Sequence, residues 1–191
     1  PLRDVYKRQD KGNPVYGEYR INRRSSYFDD KFGTQIIDRF APNGHFYDQD
    51  GVFVNLGTNR FVEIKGKWYY LNDRGQIIKG SHIINGAQVY FDENGVQIKG
   101  NFDKENRYYD KHTGKLVSNR FVTVNDKSYF VGAKGVAMKG ATRIDGKEYY
   151  FDKKTGAQVK GDFGGNGKYY DASTGALVTN RYVNLDKYWY Y

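Results

Sequence analysis

Short runs in which hydrophobic and polar residues alternate recur along the chain, separated by turns that contain Gly. The aromatic run 149–151 leads through the turn 152–156 into the alternating run 157–161, and residues 90–100 repeat this order. Side chains of a β-strand alternate between its two faces, so each run predicts a short strand. Two such strands around a Gly-containing turn predict a β-hairpin.

The same segments return at regular spacing, which is typical of a repeat protein. Asn59-Arg60-Phe61-Val62 recurs unchanged at residues 119–122 and with Tyr in place of Phe at residues 180–183. Each long period divides into shorter units. We place these units at residues 18–38, 39–58, 59–80, 81–100, 101–118, 119–140, 141–161 and 162–179, with a partial unit at 180–191.

The repeats predict how the chain builds a core. An isolated hairpin is only marginally stable in water, because it cannot bury its aromatic face. Stacking each hairpin on the next would bury a continuous column of Tyr, Phe, Val and Ile side chains. No segment shows a sustained helical period. The sequence therefore predicts an all-β fold, a β-solenoid of stacked β-hairpin repeats of about 20 residues each.

The two ends of the chain differ from this repeat array. Residues 1–9 match no unit, and we interpret them as a non-native junction segment. Residues 10–17 are interpreted as a degenerate repeat or a linker. Tyr191 falls inside a unit, so we expect the chain to be a fragment of a longer protein.

Charge and composition narrow the function classes. The formal net charge is +9, but Lys and Arg recur within the units and form no block, which favours a solvated face over a nucleic-acid groove. The chain has no Cys, so disulfides and thiolate metal sites are excluded. No apolar run is long enough to cross a membrane. We therefore expect no nucleic-acid partner and no membrane span.

The carboxylates recur at the turns and form no unique pair. Asp92, Asp152 and Asp171 occupy the same place in their units, where an Asp side chain bonds to the turn backbone. A glycosidase needs two carboxylates at a fixed separation in contrasting environments. Zinc-ligand spacing, phosphate-binding loops and dinucleotide motifs are also missing from the sequence. We expect no catalytic residue, no metal and no cofactor in this chain.

The pattern Trp68-Tyr69-Tyr70-Leu71, Gly75 and Lys79-Gly80 resembles the choline-binding-type, or cell-wall-binding, repeat. The longer period resembles the glucan-binding repeats of bacterial glucansucrases of glycoside hydrolase family 70, such as dextransucrase. The resemblance covers residues 18–191. It implies a secreted, cell-surface-associated, non-catalytic module of a glucansucrase, with α-glucan as its ligand. In that family a Tyr ring stacks on a sugar, while Gln and Lys side chains hydrogen-bond to its hydroxyls.

Three groups of positions match this binding pattern. They are Tyr90, Gln97 and Lys99; Tyr149, Tyr150, Gln158 and Lys160; and Tyr69 and Tyr70, next to Trp68, with Gln76 and Lys79. Strand alternation puts Gln158 and Lys160 on one face and Val159 on the other. In the third group the longer gap between Gln76 and Lys79 breaks this alternation.

Two alternatives stay open at this level. One face of each Tyr-Tyr-Phe strand belongs to the core, so an individual Tyr either packs internally or stacks on a ligand. The competing function is a module that anchors a protein to the bacterial cell wall by binding choline or an anionic wall polymer. A choline cage favours Trp, and the chain has only Trp68 and Trp189. Clostridial toxin repeats share the Tyr-Tyr-Phe-Asp pattern and also bind carbohydrate.

Overall fold

The computed structural model describes residues 14–21, 23–185 and 187–191. These residues form antiparallel β-hairpins and turns, with no helix among them, so the predicted all-β hairpin repeats are confirmed. The chain divides into two compact units, residues 1–81 with 91–97 and residues 82–90 with 98–191. The predicted junction segment, and the linker up to residue 13, lie outside the described residues.

Neighbouring strands pair in chain order. The pairs are β1 (Gly17–Ile21) with β2 (Arg24–Phe28); β3 (Arg39–Phe40) with β4 (Phe46–Tyr47) and β5 (Phe53–Val54); β6 (Arg60–Ile64) with β7 (Lys67–Leu71); β8 (Gly80–Ile84) with β9 (Ala87–Phe91); β10 (Asn101–Phe102) with β11 (Tyr108–Tyr109); β12 (Arg120–Val124) with β13 (Lys127–Val131); β14 (Gly140–Ile144) with β15 (Lys147–Phe151); β16 (Asp162–Phe163) with β17 (Tyr169–Tyr170); and β18 (Val183–Leu185) with β19 (Tyr188–Tyr190).

The long hairpins close through two-residue turns. Asn85 and Gly86 join β8 to β9 at φ 50° and 74°, and Asn125 and Asp126 join β12 to β13 at φ 49° and 61°. Positive φ at both central residues is the signature of the type I′ turn, whose twist matches that of the flanking strands. Gly, Asn and Asp tolerate this region best, which explains their recurrence at the hairpin tips.

The alternating runs that follow the Asp/Gly turns are not strands, so the sequence-based placement of the hairpin was wrong in this detail. Segment 157–161 forms a single isolated bridge to β15. Its amides are shared instead: the Gln158 N–H donates to the Ser128 carbonyl and the Val159 N–H to the Tyr150 carbonyl, each at 2.8 Å. A segment that divides its amides between two hairpins cannot extend a ladder with either.

The same sharing of amides joins successive repeats within each unit. Residues that donate a backbone N–H to a preceding hairpin or turn in this way include Ile77, Leu116, Ala137 and Leu177. The residue after each of them donates its N–H to the hairpin of its own repeat, as Val117 does to the Tyr108 carbonyl at 3.0 Å. Adjacent repeats are therefore linked by backbone hydrogen bonds as well as by ring packing.

A fully buried Tyr closes each short hairpin. These residues are Tyr47, Tyr109 and Tyr170. At Tyr47 and Tyr170 an Asn side-chain amide from the preceding turn donates to the hydroxyl, at 3.0 and 2.9 Å. The Tyr109 hydroxyl donates to Asp103 Oδ2 at 3.0 Å. A buried hydroxyl is costly without a partner, so the turn residue and the Tyr depend on each other.

Asp103 is a buried carboxylate in the turn before β11. Its Oδ1 accepts the N–H groups of Glu105 and Arg107 at 2.8 and 3.0 Å, and Arg107 Nε donates to Oδ2 at 2.8 Å. Burial alone would raise the pKa of Asp103, but these hydrogen bonds outweigh burial and hold the pKa below its usual value. The folded state is therefore stabilised by the ionised form of this carboxyl group.

This arrangement predicts loss of stability in acid. The contribution of Asp103 is fully present above the pKa of an unfolded aspartate, near 4, and is lost as the pH falls through the lower folded pKa. The thermal midpoint should fall as the pH drops below about 4, and Asp103→Asn should lower the midpoint at pH 7 and make the acid-induced fall shallower. Circular dichroism melts at a series of pH values measure both effects. Equal pH dependence in the two proteins would contradict this role.

Candidate functional site

A cleft of about 600 Å³ lies in the first unit; we call it the candidate cleft. Its aromatic wall includes Phe40 of β3 and Tyr69 of β7, whose ring centroids lie 4.7 Å apart with the rings inclined at 47°. The charged side chains that line it are Asp29, Asp38, Arg39, Lys65, Lys67, Lys79 and Glu93. The volume falls within the range of about 300–1,000 Å³ that is usual for small-molecule sites.

Hairpin geometry brings these distant residues together. Tyr69 lies at the centre of β7, where it faces Val62 across the ladder. Lys65 occupies the left-handed turn between β6 and β7, and its ammonium forms an ion pair with Asp38. Glu93 belongs to the next turn, which Asp92 shapes by accepting two backbone N–H groups through Oδ1. A strand, a hairpin tip and a turn thus each contribute a side chain to the lining of the same cleft.

The electrostatics of the candidate cleft are mixed. Burial, followed by the nearby carboxylate of Asp92, raises the pKa of Tyr69, so its hydroxyl remains a neutral donor and acceptor at pH 7. Three carboxylates and four cationic groups line the cleft together with the ring pair. Such a lining offers hydrogen-bond donors and acceptors next to an apolar ring face, and its charges are of both signs. It is chemically suited to a neutral ligand with many hydroxyl groups.

A second cleft, of about 380 Å³, lies in the second unit. Asp110 and Arg120 line it and correspond in the repeat to Asp29 and Arg39 of the candidate cleft. Its lining side chains are Asp110, Thr113, Lys115, Leu116, Val117, Ser118 and Arg120, none of which is aromatic. The second cleft therefore repeats the polar part of the candidate cleft without the ring wall.

The structure separates the predicted group around Trp68. Tyr69 and Lys79 both line the candidate cleft. Tyr70 packs edge-to-face against Phe61, with centroids 4.9 Å apart. Gln76 does not line the cleft; its Nε2 donates to the Asn43 carbonyl at 2.9 Å. Of these four predicted binding residues, Tyr69 and Lys79 therefore lie in the same cleft, and Tyr70 and Gln76 do not line it.

In the predicted group at 149–160, internal contacts dominate. Tyr150 is 3% exposed and packs 5.7 Å from Tyr170. Gln158 Nε2 and Lys160 Nζ both reach the turn 171–175, where they donate to the carbonyls of Thr174 at 3.2 Å and Ser173 at 3.5 Å. The two side chains share a side, as alternation predicted, although the segment is not a strand.

Tyr149 in the same group repeats the aromatic pair of the candidate cleft. Its ring lies 5.4 Å from that of Phe121. Further Phe–Tyr pairs of this kind are Phe102 with Tyr129 and Phe163 with Tyr190, each with centroids 5.0 Å apart. In each of these pairs a Phe of one hairpin meets a Tyr of a later hairpin, a relation that the recurring Phe and Tyr positions do not specify by themselves.

The predicted group at 90–99 lies in well-packed surroundings. Tyr90 is buried and packs 6.0 Å from Tyr109 in the second unit. Gln97 belongs to the first unit, is only 6% exposed, and donates its backbone N–H to the Trp68 carbonyl at 2.7 Å. Lys99 is half-buried. Burial of Tyr90 and Gln97 was not evident from their positions beside a turn.

The recurring Gln has a structural partner that the sequence did not reveal. Like Gln76 and Gln158, Gln35 donates its side-chain amide to turn carbonyls, those of Asp50 and Gly51, each at 3.3 Å. A Cβ on Gly51 would lie 2.1 Å from Gln35 Nε2, so only Gly leaves room for this contact. The turn carbonyls come from distant parts of the sequence, which is why sequence reasoning assigned the Gln to a ligand.

Family comparisons match residues 59–182, about two thirds of the chain, to known repeats. The description "choline-binding repeat" matches residues 78–121, 122–163 and 138–182, and "cell wall binding repeat" matches residues 59–77. The chain is 38% identical to Glucosyltransferase-S of Streptococcus mutans over 94% of its own length and 13% of that protein. It is 34% identical to Glucosyltransferase-I of Streptococcus downei over 97% of its length and 13% of that protein. The chain thus spans about an eighth of these relatives.

Solved structures share the fold. The modular autolysin LytC of Streptococcus pneumoniae superposes with a TM-score of 0.55 at 19% identity, covering 93% of this chain and 41% of that chain. Choline binding protein F of the same organism gives a TM-score of 0.55 at 22% identity, covering 93% and 77%. Among the described residues, there is no helix with the length and apolar character needed to cross a membrane, and no cluster of three metal-ligating side chains.

The Gln contacts generate a prediction. Gln158→Ala should lower the free energy of unfolding by about 1 kcal/mol, because it removes a neutral hydrogen bond that holds the turn 171–175. Chemical denaturation measures this loss, with Lys153→Ala, a truncation at an exposed position of the preceding turn, as the control. Unchanged stability together with weaker carbohydrate binding would show that Gln158 contacts a ligand instead.

Proposed function

This chain belongs to the choline-binding repeat family, and from that premise we propose that it is a non-catalytic module that binds α-glucan. The observation that carries the proposal is the candidate cleft, whose lining combines the Phe40 and Tyr69 rings with carboxylate and cationic groups. A pyranose presents an apolar C–H face and a rim of hydroxyls. A planar aromatic buries that face at little entropic cost, while the charged rim supplies donors and acceptors.

The relatives support glucose as the sugar. Their names denote the transfer of glucosyl units, and the identity extends over nearly the whole of this chain. For a region of such an enzyme that lies outside the catalytic centre, a glucan is the expected ligand. In this proposal the chain is an accessory part of an extracellular, surface-associated glucansucrase. Its recurring Asp residues shape turns, as Asp152 does by accepting two backbone N–H groups through Oδ1, which leaves no carboxylate pair assigned to catalysis.

The predicted residues divide by role within the proposal. Tyr69 and Lys79 contact the sugar, since both line the candidate cleft. Tyr70, Tyr90, Gln97, Lys99, Tyr149, Tyr150, Gln158, Lys160 and Gln76 stay predictions as binding positions. Of these, Tyr149 has the strongest support, because its pairing with Phe121 repeats that of Tyr69 with Phe40.

We further infer that within each unit the successive hairpins stack along one axis, as in a β-solenoid. Within each unit, amides such as that of Leu177 bond to the preceding hairpin, which sets the translation from one repeat to the next. Repeated ring pairs would then lie at regular intervals along one polymer. Individually weak sites that bind the same chain gain strength through effective concentration.

The second candidate function is anchoring to the cell wall through choline or an anionic polymer. The net charge of +9 and the matched repeat description favour it. Ionic attraction weakens as salt screens exposed charges, whereas stacking on a neutral sugar does not depend on charge. Retention that disappears in moderate salt, or that free choline displaces, would therefore favour this second function.

Affinity gel electrophoresis in dextran tests the glucan proposal. The protein should migrate more slowly in a dextran gel than in a plain gel, and the retardation should survive moderate salt. Tyr69→Leu should weaken binding about fivefold to tenfold, since it removes about 1 kcal/mol of flat ring contact but keeps apolar bulk. Lys79→Gln should also weaken it, by removing one cationic donor from the cleft.

Controls for this experiment lie outside the candidate cleft. Tyr188→Leu removes an exposed ring, and Lys104→Gln removes an exposed charge; neither should change the retardation. Circular dichroism melts of all four variants separate lost binding from lost folding. The absence of any retardation of the unmodified protein by dextran would refute the proposed function.

A further inference from the structure

One turn beside the candidate cleft departs from its counterparts. Four turns share the form Asp-x-x-x-Gly, at residues 29–33, 110–114, 152–156 and 171–175. In each, the Gly N–H donates to the carbonyl of the Asp at 2.7–2.8 Å, so the backbone is the same. Three of them carry Thr before the Gly. The first carries Phe32.

The Thr has a clear structural role. Thr155 donates its N–H and its hydroxyl to Asp152 Oδ1 at 2.6 and 2.8 Å, and its Oγ1 accepts the Ala157 N–H at 3.2 Å. Thr113 and Thr174 make the same contacts. Side-chain bonds of this type are what favour Thr in turns.

Phe32 gives up these side-chain bonds without a packing gain. It retains only the bond from its N–H to Asp29 Oδ1, at 2.9 Å, and its side chain is 65% exposed. The ammonium of Lys31 lies 4.9 Å from the ring centroid. This exposed cation–π contact is weak and holds no backbone group of the turn, so Phe32 still breaks the local rule, and such positions are functional more often than structural.

The surroundings of Phe32 connect it to the candidate cleft. Asp29, which begins the turn, lines the cleft. Ile37 is exposed and lies between two lining residues. On the other side of the turn, an atom of the Tyr16 ring would lie 3.7 Å from a Cβ on Gly33, and Tyr16 is 50% exposed. The turn that carries Phe32 thus begins at a lining residue of the cleft, and exposed apolar side chains occur in the segments before and after it.

We propose that the candidate cleft extends over the turn 29–33 onto Phe32, whose ring stacks on a further glucose residue of the same glucan chain. This inference rests on the proposed function and deepens it. Phe32 then contributes to the preference for long chains, because a short oligosaccharide fills the cleft before it reaches the turn. The corresponding position of the second cleft is Thr113, which provides no such platform.

Isothermal titration calorimetry with isomaltotriose and isomaltononaose tests this extension. Phe32→Thr should keep or raise the thermal midpoint, since it restores the bonds seen at Thr155. It should weaken binding of isomaltononaose about fivefold and leave isomaltotriose unchanged. Phe32→Trp keeps a flat ring and should retain the affinity. Ile83→Thr, which removes an exposed apolar side chain from β8, is the control and should change neither affinity.

The outcomes separate the two proposals. Binding of isomaltononaose that Phe32→Thr does not weaken would overturn the role of Phe32 and leave the glucan function intact. Equal weakening for both oligosaccharides would also overturn it, since the ring would then act on the cleft itself. If the unmodified protein binds neither oligosaccharide, the proposed function and this extension both fail.

Discussion

Amides shared between two hairpins are the interaction on which the rest of this structure depends. After several of the turns, one N–H bonds to an earlier repeat and the next N–H to the hairpin of its own repeat, as Gln158 and Val159 do. Buried backbone donors need partners, so this alternation fixes the distance and register between repeats. The Gln side chains reinforce it by bonding to turn carbonyls, and the Gly residues of those turns leave the space. Because the register is fixed, Phe40 meets Tyr69 and Phe121 meets Tyr149.

Local features of the fold could be predicted from the sequence, and contacts between repeats could not. The aromatic runs and the Asp/Gly turns correctly indicated hairpin repeats, and Gly156 has the expected left-handed backbone, with φ 77°. Alternation in residues 157–161 predicted a strand, because periodicity does not reveal that the amides serve two neighbours. Gln158 was assigned to a ligand for the same reason: its partner, the Thr174 carbonyl, lies in another repeat. At the candidate site, the charged side chains that join Tyr69 come from other turns and strands, with no motif to unite them.

A ring that binds sugar must be held in place by the protein and must also keep one face accessible. The ring of Tyr69 has to be held rigidly, which the contact with Phe40 achieves, yet one face must stay accessible to a ligand. In the proposed function, charged groups of both signs around the rings would satisfy the hydroxyls of a neutral polymer without forming a general site for anions. In the turn 29–33, Phe32 presents an exposed ring at the position where the corresponding turns carry a hydrogen-bonding Thr. Such a module works through many modest contacts along one chain, and its repeats supply them.

A crystal structure of the chain with isomaltotriose would test the account most directly. It separates the residues that hold the repeats together from those that hold the sugar. The account predicts a pyranose ring over Tyr69, with Lys79 in contact with its hydroxyls, while Gln76 Nε2 stays bonded to the Asn43 carbonyl. A sugar bound elsewhere, in contact with neither Tyr69 nor Lys79, would contradict it.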